Sequence, residues 1–203
     1  GKHVKSMASL RESKDIANNL RFSSDIWSPD KNLFGTSGEI ERNFFFQHDL
    51  EITKNITPKL DYSIAEVCRR LHLPRSEVLA FVSSSPLVQA ACYINSKDVC
   101  LLKFSSSLVN LLTVDEFKFV VGHEIGHFLL EHNAYNYNSS NLEFFEYSQR
   151  QEISADRVGL IGCKNLNFAA SALIKTLSGL NSQHIKLDVG HFISQKKRIK
   201  DNK

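Results

Sequence analysis

No stretch of about 18 apolar residues occurs in the 203-residue chain, so no segment is expected to cross a bilayer as a helix. An excess of one charge is also missing: 25 Lys and Arg stand against 22 Asp and Glu, a net +3. That balance argues against a nucleic-acid partner, and the single basic run, "QKKRIKDNK" at the C-terminus, reads as a solvated helix end or tail. Cysteine is scarce. The four residues, Cys68, Cys92, Cys100 and Cys163, never fall in C-x-x-C spacing, which argues against a cysteine zinc knuckle. Cys92 and Cys100 flank an expected hairpin turn and could lie opposite each other, but reduced apolar packing is the default expectation. No signal-peptide pattern, internal repeat or low-complexity tract is found, and a cytoplasmic location is the expectation. What is present, 42% hydrophobic and 23% charged residues, suits a soluble globular domain with a real core.

The chain divides into two parts. Residues 1–57 form an N-terminal segment of unclear role, expected to pack on or cover a cleft. Within it "SLRESKDIANNL" suits a short helix, "SPDKNLFGTSGE" a loop, and the three consecutive Phe residues of "IERNFFFQHDLEI" anchors against the main body. Residues 58–203 carry sharper signals. Ser63 and Glu66 have capping-box spacing, with Ile64, Val67, Cys68 and Leu71 at helical spacing behind them. Three β-like runs follow, "EVLAFVSS", "LVQAACYI" and "VCLLKFSS", the last two joined by the turn "NSKD". Thr113 and Glu116 form a second capping box, opening a helix expected to reach about His132. The polar loop "NAYNYNSSN" separates it from a helix over about 142–163. A further helix, "NFAASALIKTLSG", ends at Gly179. This order predicts an α+β fold with a small antiparallel sheet.

The segment "VVGHEIGHFLL", residues 120–130, places two imidazoles and a carboxylate on an otherwise apolar helix. Buried without compensation they would be costly. His123 and His127 are four residues apart and so share one helix face, about 6 Å apart along the axis. That spacing lets both grip one zinc ion. Glu124, one step round the helix, is placed to take a proton from a zinc-activated water.

A catalytic zinc needs a third protein ligand and an open position. The extended pattern H-E-x-x-H-x-x-G-x-x-H is excluded, because its Gly position is Leu130 and its last His position is Asn133. His132 is one residue off and reads as a helix-end His near the C-terminal dipole rather than a ligand. The stretch "QEISADRVG" offers the other solution. Glu152 and Asp156 lie four apart on one helix face, so Glu152 can complete the metal shell. Asp156 can accept a hydrogen bond from the second ring nitrogen of a ligand His.

"HEIGH" followed by "EISADRVG" resembles the Glu-zincin metallopeptidases of the HtpX-like and CAAX-prenyl endopeptidase family, in a stand-alone, soluble branch. "LPRSEVLAF" to "CYI" looks like that family's lead-in strands, and "TVDEFKFVVGHEIGH" like its approach to the motif. "GHFISQKKRI" resembles its late H-P-x-x-x-x-R-I element, with Phe192 in place of the Pro. The resemblance implies a zincin-like (gluzincin) fold and one zinc per chain on His123, His127 and Glu152. It also implies hydrolysis of a protein or peptide substrate with Glu124 as general base. His191, supported by Arg198, is the candidate oxyanion donor, and the peptide is expected to add as a strand beside "LVQAACYI". Two alternatives stay open. One is a regulatory metalloprotease of the ImmA/IrrE type. The other is a latent or non-catalytic zinc-stabilised binding module, which the presence of Glu124 argues against.

Overall fold

Pro58 sets the first long helix. Proline suits the opening turn of a helix, where its missing N–H is no loss. In the computed structural model, which describes residues 38–94, 99–132 and 142–197, helix α2 runs Pro58–Arg70 with Thr57 as its N-cap. Helix α1, Gly38–His48, and strand β1, Leu50–Glu51, precede it. The expected capping box at Ser63 is therefore not formed. Ser63 is an interior residue whose hydroxyl donates to the Lys59 carbonyl at 2.9 Å, and Glu66 pairs with Arg70 and Lys118 instead.

After a 3-10 turn, Arg75–Glu77, come β2, Val78–Ser83, β3, Ala90–Ile94, and β4, Cys100–Ser105. Five further elements follow among the described residues. They are α3, Ser106–Leu111, α4, Val114–Leu129, α5, Leu142–Cys163, α6, Leu166–Ser178, and α7, Val189–Lys197. The fold is thus mixed α+β with a small sheet, and no described helix is long and apolar enough to cross a membrane.

The sheet is not purely antiparallel as expected. Its order is β1-β2-β4-β3. The hairpin pair β3–β4 is antiparallel, but β2 joins the far edge of β4 and runs parallel to it, Val78 opposite Cys100 through Ser83 opposite Ser105. Strands that follow one another in sequence need not be neighbours. Here β3 takes the outer edge and leaves β4 between two partners. Alternation along the strands separates the two faces. Val78, Ala80, Cys100, Leu102 and Phe104 face the main core, while Phe81 and Leu101 face a smaller cluster with Phe45. Phe45 is buried there and Phe46 stacks edge-on to Phe81, so two of the three consecutive Phe residues act as the anchors expected of them. Residues 42–57 belong to the same body, since β1 pairs antiparallel with β2 and Ile52 enters the main core. The segments 9–20, 95–98 and 133–141, read above as helix, turn and loop, lie outside the described residues.

Helix α4 is the centre of the main core. Its start is as read: the Thr113 hydroxyl accepts from the Glu116 N–H at 3.3 Å, and the Glu116 carboxylate accepts from the Thr113 N–H at 2.7 Å. Glu116 does a second job. Its carboxylate also accepts from Ser171 and from the buried Lys175 of α6, the latter at 2.7 Å. Burial alone would raise its pKa, but the hydrogen bonds from Lys175, Ser171 and the Thr113 backbone hold it below the usual carboxylate value. Lys118 in turn bridges to Glu66 of α2 at 2.7 Å.

The opposite flank of α4 meets α5 with almost no side chain between them. A Cβ at Gly122 would lie 3.0 Å from the Gly159 Cα, 3.1 Å from the Val158 carbonyl oxygen and 3.3 Å from the Gly162 Cα. One at Gly159 would lie 2.8 Å from the Phe119 carbonyl oxygen. These neighbours are backbone and cannot swing aside. Replacing Gly122 by Ala should therefore push the helices apart and cost about 1–3 kcal/mol, read as a lowered urea midpoint. An unchanged midpoint would show that the helices have room to spare.

Candidate metal centre

The close approach of α4 and α5 sets one side chain of each turn against the other. From α4, His123 is 2% exposed and Glu124 4%, while His127, nearer the helix end, is half-buried. From α5, Glu152 and the buried Asp156 face them. The His123 Nδ1 lies 2.9 Å from the Asp156 Oδ1. That leaves the His123 Nε2 pointing into a shared space, 3.1 Å from the His127 Nε2 and 3.3 Å from the Glu152 Oε2. The His127 Nε2 is 3.8 Å from the Glu152 Oε1.

Three ligand atoms, one each from His123, His127 and Glu152, thus lie within 4.8 Å of one another. Ligands about 2.0–2.1 Å from a tetrahedral zinc are separated by roughly 3.3 Å. The observed spacings fit that value, and two imidazoles with one carboxylate are a donor set that zinc accepts. The structure therefore brings together the four residues read from the two motifs, with Asp156 on the outward nitrogen of His123.

The electrostatics suit a site built around a cation. Burial works to lower the His123 pKa, but hydrogen bonds and charge from Asp156 and Glu152 raise it well above the ordinary histidine value. Glu152 shows the converse. Burial would raise it, but the His123 hydrogen bond and the charges of the three nearby histidines hold it below the usual value. Burial pushes the Glu124 carboxyl up to about 7, with His123 opposing and Glu152 adding to the rise. Strand β3 runs close by. The Cys92 thiol on it is held well above its usual value by its hydrogen bond with Cys100, by burial, and by the charges of Cys100 and Glu124. The two sulfurs are 3.7 Å apart and all four cysteines are free thiols. The pair is diagonal rather than directly opposite, because Cys92 faces Leu102 and Cys100 faces Ile94.

The remaining site candidates are His191 and Arg198. His191 is exposed in the first turn of α7, where its backbone N–H donates to the Asp188 carboxylate at 2.7 Å. Arg198 lies outside the described residues. One contact was not foreseen. The His132 Nδ1 sits 3.0 Å from the His127 Nδ1, and burial, with charge from His123, pushes the His132 pKa down to about 4 against the pull of Glu152. The signal available in the sequence was only a His five residues after His127.

Residues 55–145, just under half of the chain, match the family model described as Peptidase family M48. The match supports that metallopeptidase family, and hence peptidase activity at the level of the family. It takes in α2, strands β2, β3 and β4 and all of α4, and it ends before Glu152 and Asp156. No curated protein and no solved structure matched the chain.

If the cluster binds zinc in the folded chain alone, stoichiometric zinc should raise the thermal midpoint and a chelator should reverse the rise. At free zinc 100 times the dissociation constant the gain is about 2.7 kcal/mol. A melting curve indifferent to both zinc and chelator would remove the metal from the cluster.

Proposed function

We propose that this protein is a zinc-dependent endopeptidase of the zincin-like (gluzincin) kind, holding one zinc on His123, His127 and Glu152. The observation that carries the proposal is the convergence of those three ligand atoms beside a buried carboxylate, Glu124, on the same helix. The family match supports a general peptidase over a repressor-cleaving one. When bound, zinc would supply Lewis-acid polarisation of a water and of the scissile carbonyl.

The rest is work for the side chains. Glu124 accepts the proton of the attacking water and passes it to the departing amine, so that neither a strong base nor a free amide anion is required. Asp156 takes the His123 Nδ1–H and so keeps the other ring nitrogen available as a ligand. The developing oxyanion needs a donor. The likeness of the late "GHFISQKKRI" stretch assigns that task to His191 with Arg198. The peptide itself is proposed to lie along β3, the last strand in the sheet order and the one closest to Glu124, by addition of a strand.

Exchanging the two glutamates separates chemistry from metal binding. Glu124→Gln should keep its zinc and lose about 10²- to 10⁴-fold in turnover of a casein or peptide substrate. Glu152→Ala should lose zinc and turnover together. The roles would be misassigned if Glu124→Gln came out zinc-free, or if Glu152→Ala stayed fully loaded and active.

Asp156 should act through His123 alone. An Asp156→Asn variant is expected to remain folded and to weaken zinc affinity or activity by roughly 10- to 100-fold. Metal titration and kinetics equal to those of the unmodified chain would detach Asp156 from the site.

A further inference from the structure

Helix α4 ends in a turn that needs explaining. Glu131 takes a left-handed backbone at φ 56°, a conformation usually left to glycine. Its N–H donates to the Phe128 carbonyl at 3.2 Å, and the next N–H, that of His132, donates back to the His127 carbonyl at 3.0 Å. This pair of bonds is the Schellman ending, in which the second residue past the helix comes to rest on the side chain one turn back. Helix α2 closes in the same way: His72 has φ 56°, His72 N–H donates to Arg69 at 3.3 Å and Leu73 N–H to Cys68 at 2.9 Å. There the paired residues are Leu73 and Cys68, both buried in the main core, and the contact is apolar as usual. In α4 the same two positions hold His132 and His127, with ring centroids 5.1 Å apart. Helix α5 secures the arrangement, since the Gln151 side-chain amide donates to the His132 carbonyl at 3.0 Å, one residue before Glu152.

We infer that His132 is a positioning residue for the metal centre, accepting the Nδ1–H of His127 so that the His127 Nε2 is presented to zinc. The inference rests on the zinc reading of the cluster. Its logic is the tautomer. The His127 Nε2 faces His123 and Glu152, and once that nitrogen is bound to zinc the one ring proton of His127 must sit on Nδ1. The His127 Nδ1 that carries it lies 3.0 Å from the His132 Nδ1. His132 must then accept there and carry its own proton on Nε2. Both ligand imidazoles are thereby oriented from behind: His123 by a carboxylate of α5, His127 by an imidazole that the helix ending itself delivers. A helix-end His interacting only with the helix dipole would need no such alignment.

The test is zinc affinity, by competition with a chromophoric chelator, in the full chain and two variants. His132→Phe keeps a ring but removes the acceptor, and should weaken zinc binding roughly 10- to 100-fold. His132→Asn carries an oxygen where His carries Nδ1, and should recover most of that loss. Melting of the zinc-free variants should stay close to that of the zinc-free parent. His132→Phe binding as tightly as the parent would overturn the inference, and so would His132→Asn binding as weakly as His132→Phe, which would mean that ring packing alone matters. A parent chain that binds no zinc at all would instead overturn the underlying reading of the cluster. Nitrogen NMR of the zinc-loaded parent gives a check that needs no variant. His127 should be coordinated through Nε2 and protonated at Nδ1, and coordination through Nδ1 would sink the proposal.

Discussion

The separation of α4 and α5 governs everything else in this molecule. Four glycines, Gly122 and Gly126 on one helix and Gly159 and Gly162 on the other, let the two backbones meet with van der Waals contact and little side chain between them. Short side chains reach across only because of this. An Asp at 156 can touch an imidazole on the facing helix at 2.9 Å, and Glu152 can reach both ring nitrogens of the cluster. With ordinary residues at the crossing, helix axes stand about 8–10 Å apart or more, and carboxylates this short would fall out of register with the histidines. The glycines are therefore as much a part of the site as its ligands, though none of them carries a functional group.

The same helix shows how buried charge is tolerated elsewhere, and why the site differs. Glu116 is compensated by Lys175 and Ser171, and Lys118 by Glu66 and Asp115. Each of those groups joins a permanent cation to a carboxylate, which is what a buried ion requires. At the cluster the partners of Glu152 and Asp156 are imidazoles, which are cationic only when protonated. The raised His123 pKa shows two carboxylates drawing positive charge into the core. A divalent cation at the convergence point would meet that demand more fully than one proton.

How far the sequence reached depended on how local each feature is. The Thr113–Glu116 capping box spans four residues and was readable as such; the glycine stop of α6 was likewise set by short-range chemistry. The box at Ser63 was misread because Pro58, a stronger local signal five residues earlier, had already begun the helix. Strand existence was legible in the β-rich runs, but the parallel pairing of β2 with β4 was not, since it depends on which edge a distant strand takes. In the site, the residues four apart declared themselves through helical period. His132 did not. Its contact with His127 follows from a left-handed residue at Glu131, and Glu is a poor advertisement for that backbone. The glycines of the crossing were visible as letters, but their purpose requires the partner helix.

The two histidines of the cluster are held unequally, and the inequality has a direction. The His123 side chain is 3% exposed and is hydrogen-bonded to a carboxylate, whereas His127 is 14% exposed and meets a neutral imidazole. A charged acceptor holds a donor more strongly than a neutral one, so the cluster has a fixed inner imidazole and a more yielding outer one. Glu152, 15% exposed, lies on the same outer side as His127. His127 and Glu152 are therefore the members of the cluster that solvent reaches most readily. The inner wall is built from His123, Asp156 and the glycine crossing. A cluster assembled in this way exposes its rim while keeping the deeper imidazole and its carboxylate partner out of water.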